Sequence, residues 1–528
     1  MFHPSNEKYK WWVLANVMVG TFMAVLDATI VNVGLPKIMA SFGVGIDKIE
    51  WVITAYLLAL AVILPASAWL ADRIGYKRTY FFALLIFTSG SFLCGIAPNE
   101  DLLIFFRVIQ GFGAGAIAPI GMAIVTREFP PERRGVALGF WAIAAAASVS
   151  FGPLIGGYLV DKFSWKLIFD INVPVGIIGM VATVVIQQEY KNPRKTKFDF
   201  IGLISSTIFF PSLLYGLTEA NSTSNTQRWG SPEVLFFLAL SAISLTVFVT
   251  AELTRKDPLI ELRLLKNYNF GMSNLIIFLF GIGMFGSTFL MPIYLQNSLN
   301  YTALQAGAVF LPVGILQGIT SPLSGLAADK INPKIPIILG MLLLTLSFYL
   351  NTFLSFLTER SYIMMTLYLR GIGLGALFSP LSALALVEIP REKMAQASGI
   401  TNVIRQIGGS FGVAILTTIL TLRTTFHARI YSDSINPYSP EFQNVTSNIK
   451  FHLMHDAGYK MADAARLSQL AVGNQISTEA FIKGVNDDFL IAAVITLLGI
   501  IPVIWLRTKR KKDKTLLDVP SDQKNQNE

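Results

Sequence analysis

Long apolar blocks decide what this 528-residue chain can become. Fourteen recur, near 12–34, 49–70, 79–97, 101–125, 135–159, 167–187, 200–219, 233–252, 270–295, 304–328, 335–356, 361–387, 399–422 and 487–506. Each approaches or exceeds the ~20 residues a helix needs to cross hydrocarbon. Lipid offers backbone N–H and C=O groups no partners, so helices are the expected form. The expected fold class is an all-α polytopic membrane protein with 14 transmembrane helices, and an even count places both termini on one side. Composition agrees. Hydrophobic residues make up 53% and charged residues 14%, with a mean hydropathy of +0.55, where soluble proteins carry about 25% charged residues. The lead MFHPSNEKYK precedes a block too long for a cleaved signal peptide, so it reads as a retained first span.

The net charge of +9 raises the question of a nucleic-acid partner. Where the charges sit answers it. With the N-terminus taken as cytoplasmic, the segments on that side hold Lys8 and Lys10, then Arg73, Lys77 and Arg78, then Arg127, Arg133 and Arg134, with further basic groups at 191–197, 255–266, 330–334, 391–393 and 507–514. The short loops opposite hold only Lys37, Lys48, Lys162, Lys166, Arg228 and Arg360. That asymmetry is the positive-inside rule, and it makes the charge a topology signal. No nucleic-acid partner is expected. The single cysteine, Cys94, excludes a disulfide framework and a cysteine metal site. The residues at 509–528 read as a disordered cytoplasmic tail. A long outer segment, about 423–486, contains the amphipathic stretch MADAARLSQLAVGNQIS. It reads either as a mobile cap or as a docking surface for a periplasmic partner.

Two phrases, GFGAGA (111–116) and GIGLGA (371–376), share one spacing of small residues at an offset of 260. The spacing matches a dinucleotide-binding turn, but that turn joins a strand to a helix. Here both phrases lie inside apolar spans. Small residues there let two membrane helices approach closely. Gly111, Gly113 and Gly115 are read in that packing role. The duplication is wider. Arg107 precedes the first phrase and Arg370 the second; Pro119 and Pro380 follow. AWLADRIGYKR (68–78) pairs with GLAADKINPK (325–334), setting Asp72 and Asp329 apart by 257, and PLIGGY (153–158) pairs with RQIGGS (405–410). Two homologous halves follow, with substrate held between them. The expected organisation is an N-terminal six-helix bundle at 1–190, two inserted helices with cytoplasmic linkers at 191–265, and a C-terminal six-helix bundle at 266–508 that includes the outer segment.

Few charges lie deep in the spans. Asp27, in FMAVLDATIVNVGLP, is a functional hypothesis by default, because an intramembrane carboxylate is costly. It could load and release a proton, or simply tie neighbouring helices. Arg107 needs a polar partner and could tune Asp27; a fixed interhelical tie is the alternative. Asn32, Gln110, Arg405 and Gln406 are candidates for the substrate cavity. Asp72, Arg73, Gly75, Lys77 and Arg78 form a candidate gate with Asp329, Gly75 supplying the turn; topology alone would explain the three basic residues. Gly152, Pro153, Gly156 and Gly157 are expected to break or tighten the fifth span as a hinge, or to kink it statically. A local pair with Lys166 explains Asp170. Met18, Met23, Met284 and Met291 are pliable substrate contacts or plain packing. His452 and His455 form an H-x-x-H without companion ligands, so no metal is expected. No P-loop and no H-E-x-x-H occur.

Together these stretches resemble the major facilitator superfamily, in its fourteen-helix drug:proton antiporter group that includes EmrB and QacA. LDATIVNVGLP (26–36) resembles the group's first-helix motif and LADRIGYKR the superfamily's loop between helices 2 and 3. RVIQGFGAG is similar to the fourth-helix motif, GPLIGG (152–157) to the fifth-helix antiporter motif, and WKLIFDINVPVG (165–176) and PLIELRLLKNYNF (258–270) to further stretches. Ala68 and Ser148 stand where glycine is usual, and Asp170 where an uncharged residue is. The resemblance implies a proton-driven exporter of amphipathic drugs in the bacterial inner membrane, with no cofactor beyond the proton gradient. In the EmrB-like branch, suggested by the long outer segment, it implies a periplasmic membrane-fusion adaptor and an outer-membrane channel as partners. An uptake symporter on the same scaffold is the alternative. A membrane enzyme would need a clustered catalytic set, and a sensor a folded output domain; the sequence offers neither.

Overall fold

A computed structural model describes residues 8–44, 46–49, 51–130, 133–191, 199–220, 228–255, 258–390, 393–434 and 438–507. The tail at 509–528, and Arg194, Lys195, Lys197 and Arg391 of the charge pattern, lie outside the described residues, as do the side chains of Asn32, Pro153 and Arg228. Every described regular element is helical. The longer helices are α1 (Tyr9–Phe42), α2 (Trp51–Ile74), α3 (Tyr76–Gly95), α4 (Glu100–Glu128), α5 (Arg134–Lys162), α6 (Asn172–Ile186), α7 (Phe200–Glu219) and α8 (Pro232–Thr254). They continue with α9 (Tyr268–Asn297), α10 (Leu311–Lys330), α11 (Lys334–Leu350), α12 (Arg360–Leu386), α13 (Met394–Ser434), α14 (Pro440–His455) and α15 (Met461–Leu498). Thirteen segments among the described residues are long and apolar enough to cross a membrane. The expected fifth span, α5, adds a shorter apolar run, Arg134–Ala145, inside a helix of 29 residues.

The repeated phrase has a packing answer. An added Cβ at Gly111 would lie 2.6 Å from the Tyr56 carbonyl oxygen, and one at Gly115 would lie 2.5 Å from that of Leu60, both on α2. In the second phrase, a Cβ added at Gly371 or Gly375 would lie 2.8 Å from the Val313 or Gln317 oxygen on α10. The middle glycines face the other way: Gly113 onto Phe87 of α3 and Gly373 onto Gly340 of α11. Each phrase thus wedges its helix between two partners at backbone contact. The matched pairs Tyr56 and Val313, Leu60 and Gln317, and Asp72 and Asp329 all share the offset of 257.

The helices related by this repeat also make the two seams. α5 packs along α10, and α13 packs along α2. At the first seam Gly139 abuts Pro322; at the second an added Cβ on Gly399 would sit 3.4 Å from that of Ala68. α7 leans on both α2 and α13 and carries α8 on its other side. The N-terminal hydrophobic core runs on into Ala385, Leu386, Ile389, Met394 and Ala397 of the other half. Those residues cluster at the end of α12 and the start of α13, so the halves are closed together at the end that bears Asp72.

The outer segment is a helical extension in which the amphipathic stretch expected near its end forms part of a longer helix. α13 continues to Ser434, α14 follows, and α15 begins at Met461. A run of alanine and other good helix formers in MADAARLSQLAVGNQIS extends the last span outward.

Gly113→Ala should destabilise the fold. Its Cβ would meet the Ala83 oxygen and the Phe87 Cα, both at 2.7 Å, and backbone atoms cannot step aside. Overpacking of this kind costs about 1–3 kcal/mol, so the thermal midpoint of the purified protein should fall. Gly473→Ala, on an exposed stretch of α15 with nothing within 4 Å, should leave the midpoint unchanged or raise it.

Candidate functional site

α1 carries Asp27 into the middle of the N-terminal half, where it is fully buried. α4 supplies Arg107 and, one turn on, Gln110. An added Cβ at Gly90 would lie 2.6 Å from the Gln110 nitrogen, so the glycine lets α3 lie against α4 and brings Ser91 and Cys94 into reach. α6 opens with Asn172, and α2 contributes Tyr56.

The resulting network is closed. Arg107 Nη1 donates to Asp27 Oδ2 at 2.5 Å and to Gln110 Oε1 at 2.7 Å, while Nε donates to the Val52 carbonyl at 3.0 Å. Asp27 Oδ1 accepts from Gln110 Nε2 at 2.8 Å and from Asn172 Nδ2 at 3.1 Å. Ser91 Oγ accepts from the same two amides and donates to the Phe169 carbonyl at 2.8 Å. The Tyr56 ring lies 4.0 Å from the guanidinium carbon, and its hydroxyl donates to the Ala24 carbonyl. Both charges are out of water, so each depends on the other.

The sequence reading pairs Arg107 with Asp27, and the two meet here together with Gln110. It placed Gln110 in the substrate cavity, whereas its side chain is buried in this network. It passed over Asn172, Ser91 and Tyr56. Asn172 had a signal, a lone amide in the apolar run IFDINVPVG; Ser91 and Tyr56 had none. Arg405 donates to Asn402 and covers the Phe378 ring, and Gln406 is partly exposed one residue on. Met23 and Met291 are core residues, with Met18 and Met284 packed beside them.

At the gate, Asp72 is buried and accepts from Tyr76 Oη at 3.4 Å and, across the seam, from Gln396 Nε2 at 3.2 Å. Gly75 turns the chain at φ 107°, a conformation favouring glycine. Arg73 and Arg78 are exposed. An unforeseen carboxylate, Glu189, lies over the start of α3. It accepts from the Lys77 and Arg78 amides at 3.3 Å each, where a helix N-terminus favours negative charge. Lys77 Nζ donates to the Val184 carbonyl at 2.7 Å. The α5–α10 seam mirrors this one: Asp329 of α10 lies against Gly135 of α5, Ser379 Oγ donates to the Gly135 carbonyl, and Arg134 Nη1 donates to the Leu386 carbonyl at 3.3 Å.

The fifth-helix glycines pack α5 onto α1 just past Asp27. Gly152 faces Thr29, Gly156 faces Ile30, and Gly157 reaches Leu304 of the other half. The expected break is absent, and α5 runs as one helix from Arg134 to Lys162. No ion pair within 4 Å joins Lys166 to Asp170; the Asp170 carboxylate lies over Gly95 instead.

Residues 17–413 match the Major Facilitator Superfamily. The chain is 33% identical over 527 residues to the uncharacterized MFS-type transporter YhcA of Bacillus subtilis (strain 168), covering 98% of each chain. It is 32% identical to the multidrug export protein EmrB of Haemophilus influenzae, covering 92% of this chain and 93% of that one. Among solved structures, the human organic anion transporter MFSD10 (TETRAN) shares the fold at a TM-score of 0.61 and 12% identity, over 94% of this chain and 99% of that one.

Breaking the buried pair from one side leaves an uncompensated charge, at a cost of about 3–5 kcal/mol. Asp27→Asn and Arg107→Gln should each lower the thermal midpoint of the purified protein. The double variant should lose less than the two single losses combined. Additive losses would mean that the two groups stabilise the fold independently.

Proposed function

This chain belongs to the Major Facilitator Superfamily, and we propose that it is a proton-driven antiporter exporting amphipathic drugs and toxic lipophilic compounds across a bacterial inner membrane. The family is one of transporters, so the chain is a multi-pass membrane transporter and not an enzyme. EmrB-named relatives support drug efflux. One observation carries the proton reading: the Asp27 carboxylate is fully buried in the N-terminal half and held by Arg107, Gln110 and Asn172.

Protonating Asp27 removes the countercharge of Arg107. The pair loses its Coulombic hold, and the guanidinium must find another partner or move. A conformation that offers one is then favoured, so proton binding and the shape of the half are coupled. In this reading Arg107, Gln110 and Asn172 set how readily Asp27 takes up a proton. The closed Asp72 end is cytoplasmic, which makes this the state that releases substrate and takes up a proton from outside. Asp72 with Gln396, and Asp329 with Gly135, hold that end shut. Arg405 and Gln406 face the substrate path, and the proton gradient is the energy source in place of any cofactor.

The domain reading is six helices at 1–190, two inserted helices within 191–265, and six helices at 266–508, with both termini cytoplasmic. At 1.5 Å per residue, α13 with its 41 residues is about 60 Å long, twice the ~30 Å hydrocarbon core. The extension of α13, α14 and α15 therefore stands clear of the bilayer, which supports its use as the docking surface for a membrane-fusion adaptor that leads to an outer-membrane channel.

Inside-out vesicles test the reading. With an imposed proton gradient, wild type should accumulate a lipophilic fluorescent dye in the lumen. Asp27→Asn should not accumulate it, yet should still exchange labelled for unlabelled dye. Equal accumulation by the variant removes Asp27 from coupling, and gradient-driven dye release from the lumen points to an uptake symporter.

A second test addresses alternation at the seam. In Ala68→Cys/Gly399→Cys the two Cβ atoms fall within disulfide range. Oxidation should stop transport and reduction restore it. Undiminished transport by the crosslinked protein would rule out opening of this seam.

A further inference from the structure

The two halves place polar clusters at matching positions, one a neutral ion pair and the other a lone cation. Gln110 and Arg370 hold one place, each immediately before the first glycine of its phrase. Gln110 faces the carboxylate of Asp27. Arg370 faces hydroxyls: Nη2 donates to Thr288 Oγ1, to Ser287 Oγ at 3.4 Å and to the Met284 carbonyl at 3.3 Å. The acid of the first half has become Ser287 and Thr288, and the amide has become a cation. Arg370 is 1% exposed, and its Nη1 is buried with no hydrogen-bond partner among the described residues.

A second cation lies on the same half. Arg405 is about 16 Å into α13 at 1.5 Å per residue, near mid-depth of a ~30 Å core. It is partly exposed, donates to Asn402 and covers the Phe378 ring at 5.4 Å. Both neighbours touch the other half: Asn402 Nδ2 lies 3.8 Å from Met122 Sδ, and Phe378 stacks on Trp141 at 6.1 Å. Arg405 therefore stands where the halves meet. Among the described residues neither Arg370 nor Arg405 is in an ion pair, whereas Arg107 is cancelled by Asp27.

We propose that Arg405 is the head-group contact of an anion subsite between the halves, and that the cargo is an amphiphile with a negatively charged head and an apolar body. This deepens the exporter reading and rests on it. A cation left in a low-dielectric interior without a countercharge is costly, and an anionic head supplies the countercharge. Arg370 adds a second uncompensated positive charge to the same half. The partly exposed Phe378 ring, backed by the buried Trp141, lies next to Arg405 and gives the apolar body a surface to rest on. A positively charged amphiphile of the same shape meets two uncompensated like charges.

The test uses the full-length protein in zwitterionic-lipid nanodiscs at pH 8, with empty nanodiscs as the blank and three probes of one chain length: dodecanoate, dodecyltrimethylammonium and dodecanol. Wild type should bind dodecanoate at least about tenfold more tightly than the ammonium probe. Arg405→Gln should bring that ratio close to one and leave dodecanol unchanged, Arg405→Lys should keep the preference, and Arg370→Gln should reduce it in part. Equal or tighter binding of the ammonium probe by wild type overturns the proposal. So does an Arg405→Gln variant that loses all three probes alike, because that is a packing effect. Dye export by the same variants in vesicles reads the exporter proposal separately: export without an anion preference sinks only the subsite, and an anion preference without export sinks only the exporter reading.

Discussion

The Asp27–Arg107 pair is the constraint around which the N-terminal half is arranged. Two charges taken out of water are tolerated only when each is matched and the remaining donors and acceptors are filled. Here four helices contribute to that end: α4 provides the guanidinium and an amide, α6 a second amide, α3 a hydroxyl, and α2 a backbone carbonyl and an aromatic face. None could be shifted by a turn without stranding a polar group. The same feature that fixes the bundle makes it sensitive to a single proton, because one added hydrogen on Asp27 dissolves the reason for the arrangement.

Glycine does the complementary work. The phrases in α4 and α12 hold neighbouring backbones at contact distance, which makes the interior of each half resistant to rearrangement. The seams, α5 with α10 and α2 with α13, are closed by small residues as well: an added Cβ at Gly135 would lie 2.9 Å from the Gly325 carbonyl oxygen, and one at Gly139 2.8 Å from the Pro322 Cα. There the contacts are small residues and single hydrogen bonds, such as Gln396 to Asp72. Halves tied internally by the glycine phrases and meeting along smooth seams of small residues suit a molecule that moves as two bodies.

The sequence made the membrane helices and the repeat legible because both are written in strong signals: long apolar blocks, and glycines that recur at one offset. Asp27 and Arg107 stood out because charge is rare there. α5 was harder to read as a span, since FWAIAAAASVSFGPLIGG trades large apolar residues for small ones that pack but add little hydropathy. Ser91 and Tyr56 were invisible because serine and tyrosine are ordinary in a membrane helix, and only the approach of α3 and α2 to α4 gives them their roles. Glu189 was missed for a related reason. Its partner is the start of a helix more than 100 residues earlier, a contact that no local pattern encodes. In the outer segment the amphipathic stretch MADAARLSQLAVGNQIS was legible as a helix, while the outward continuation of α13 was not, because polarity argues for water and leaves shape to helix propensity.

α13 is both a seam helix and the rod that carries the outer extension. Ala68 touches it near one end, and Ser434 ends it about 50 Å away by the helical rise. A tilt that opens the seam must therefore swing the far tip through a larger arc, as a lever does. Linkage works in both directions, so whatever grips that tip would weight the balance between the two openings and, at a distance, adjust how often the carboxylate meets its proton.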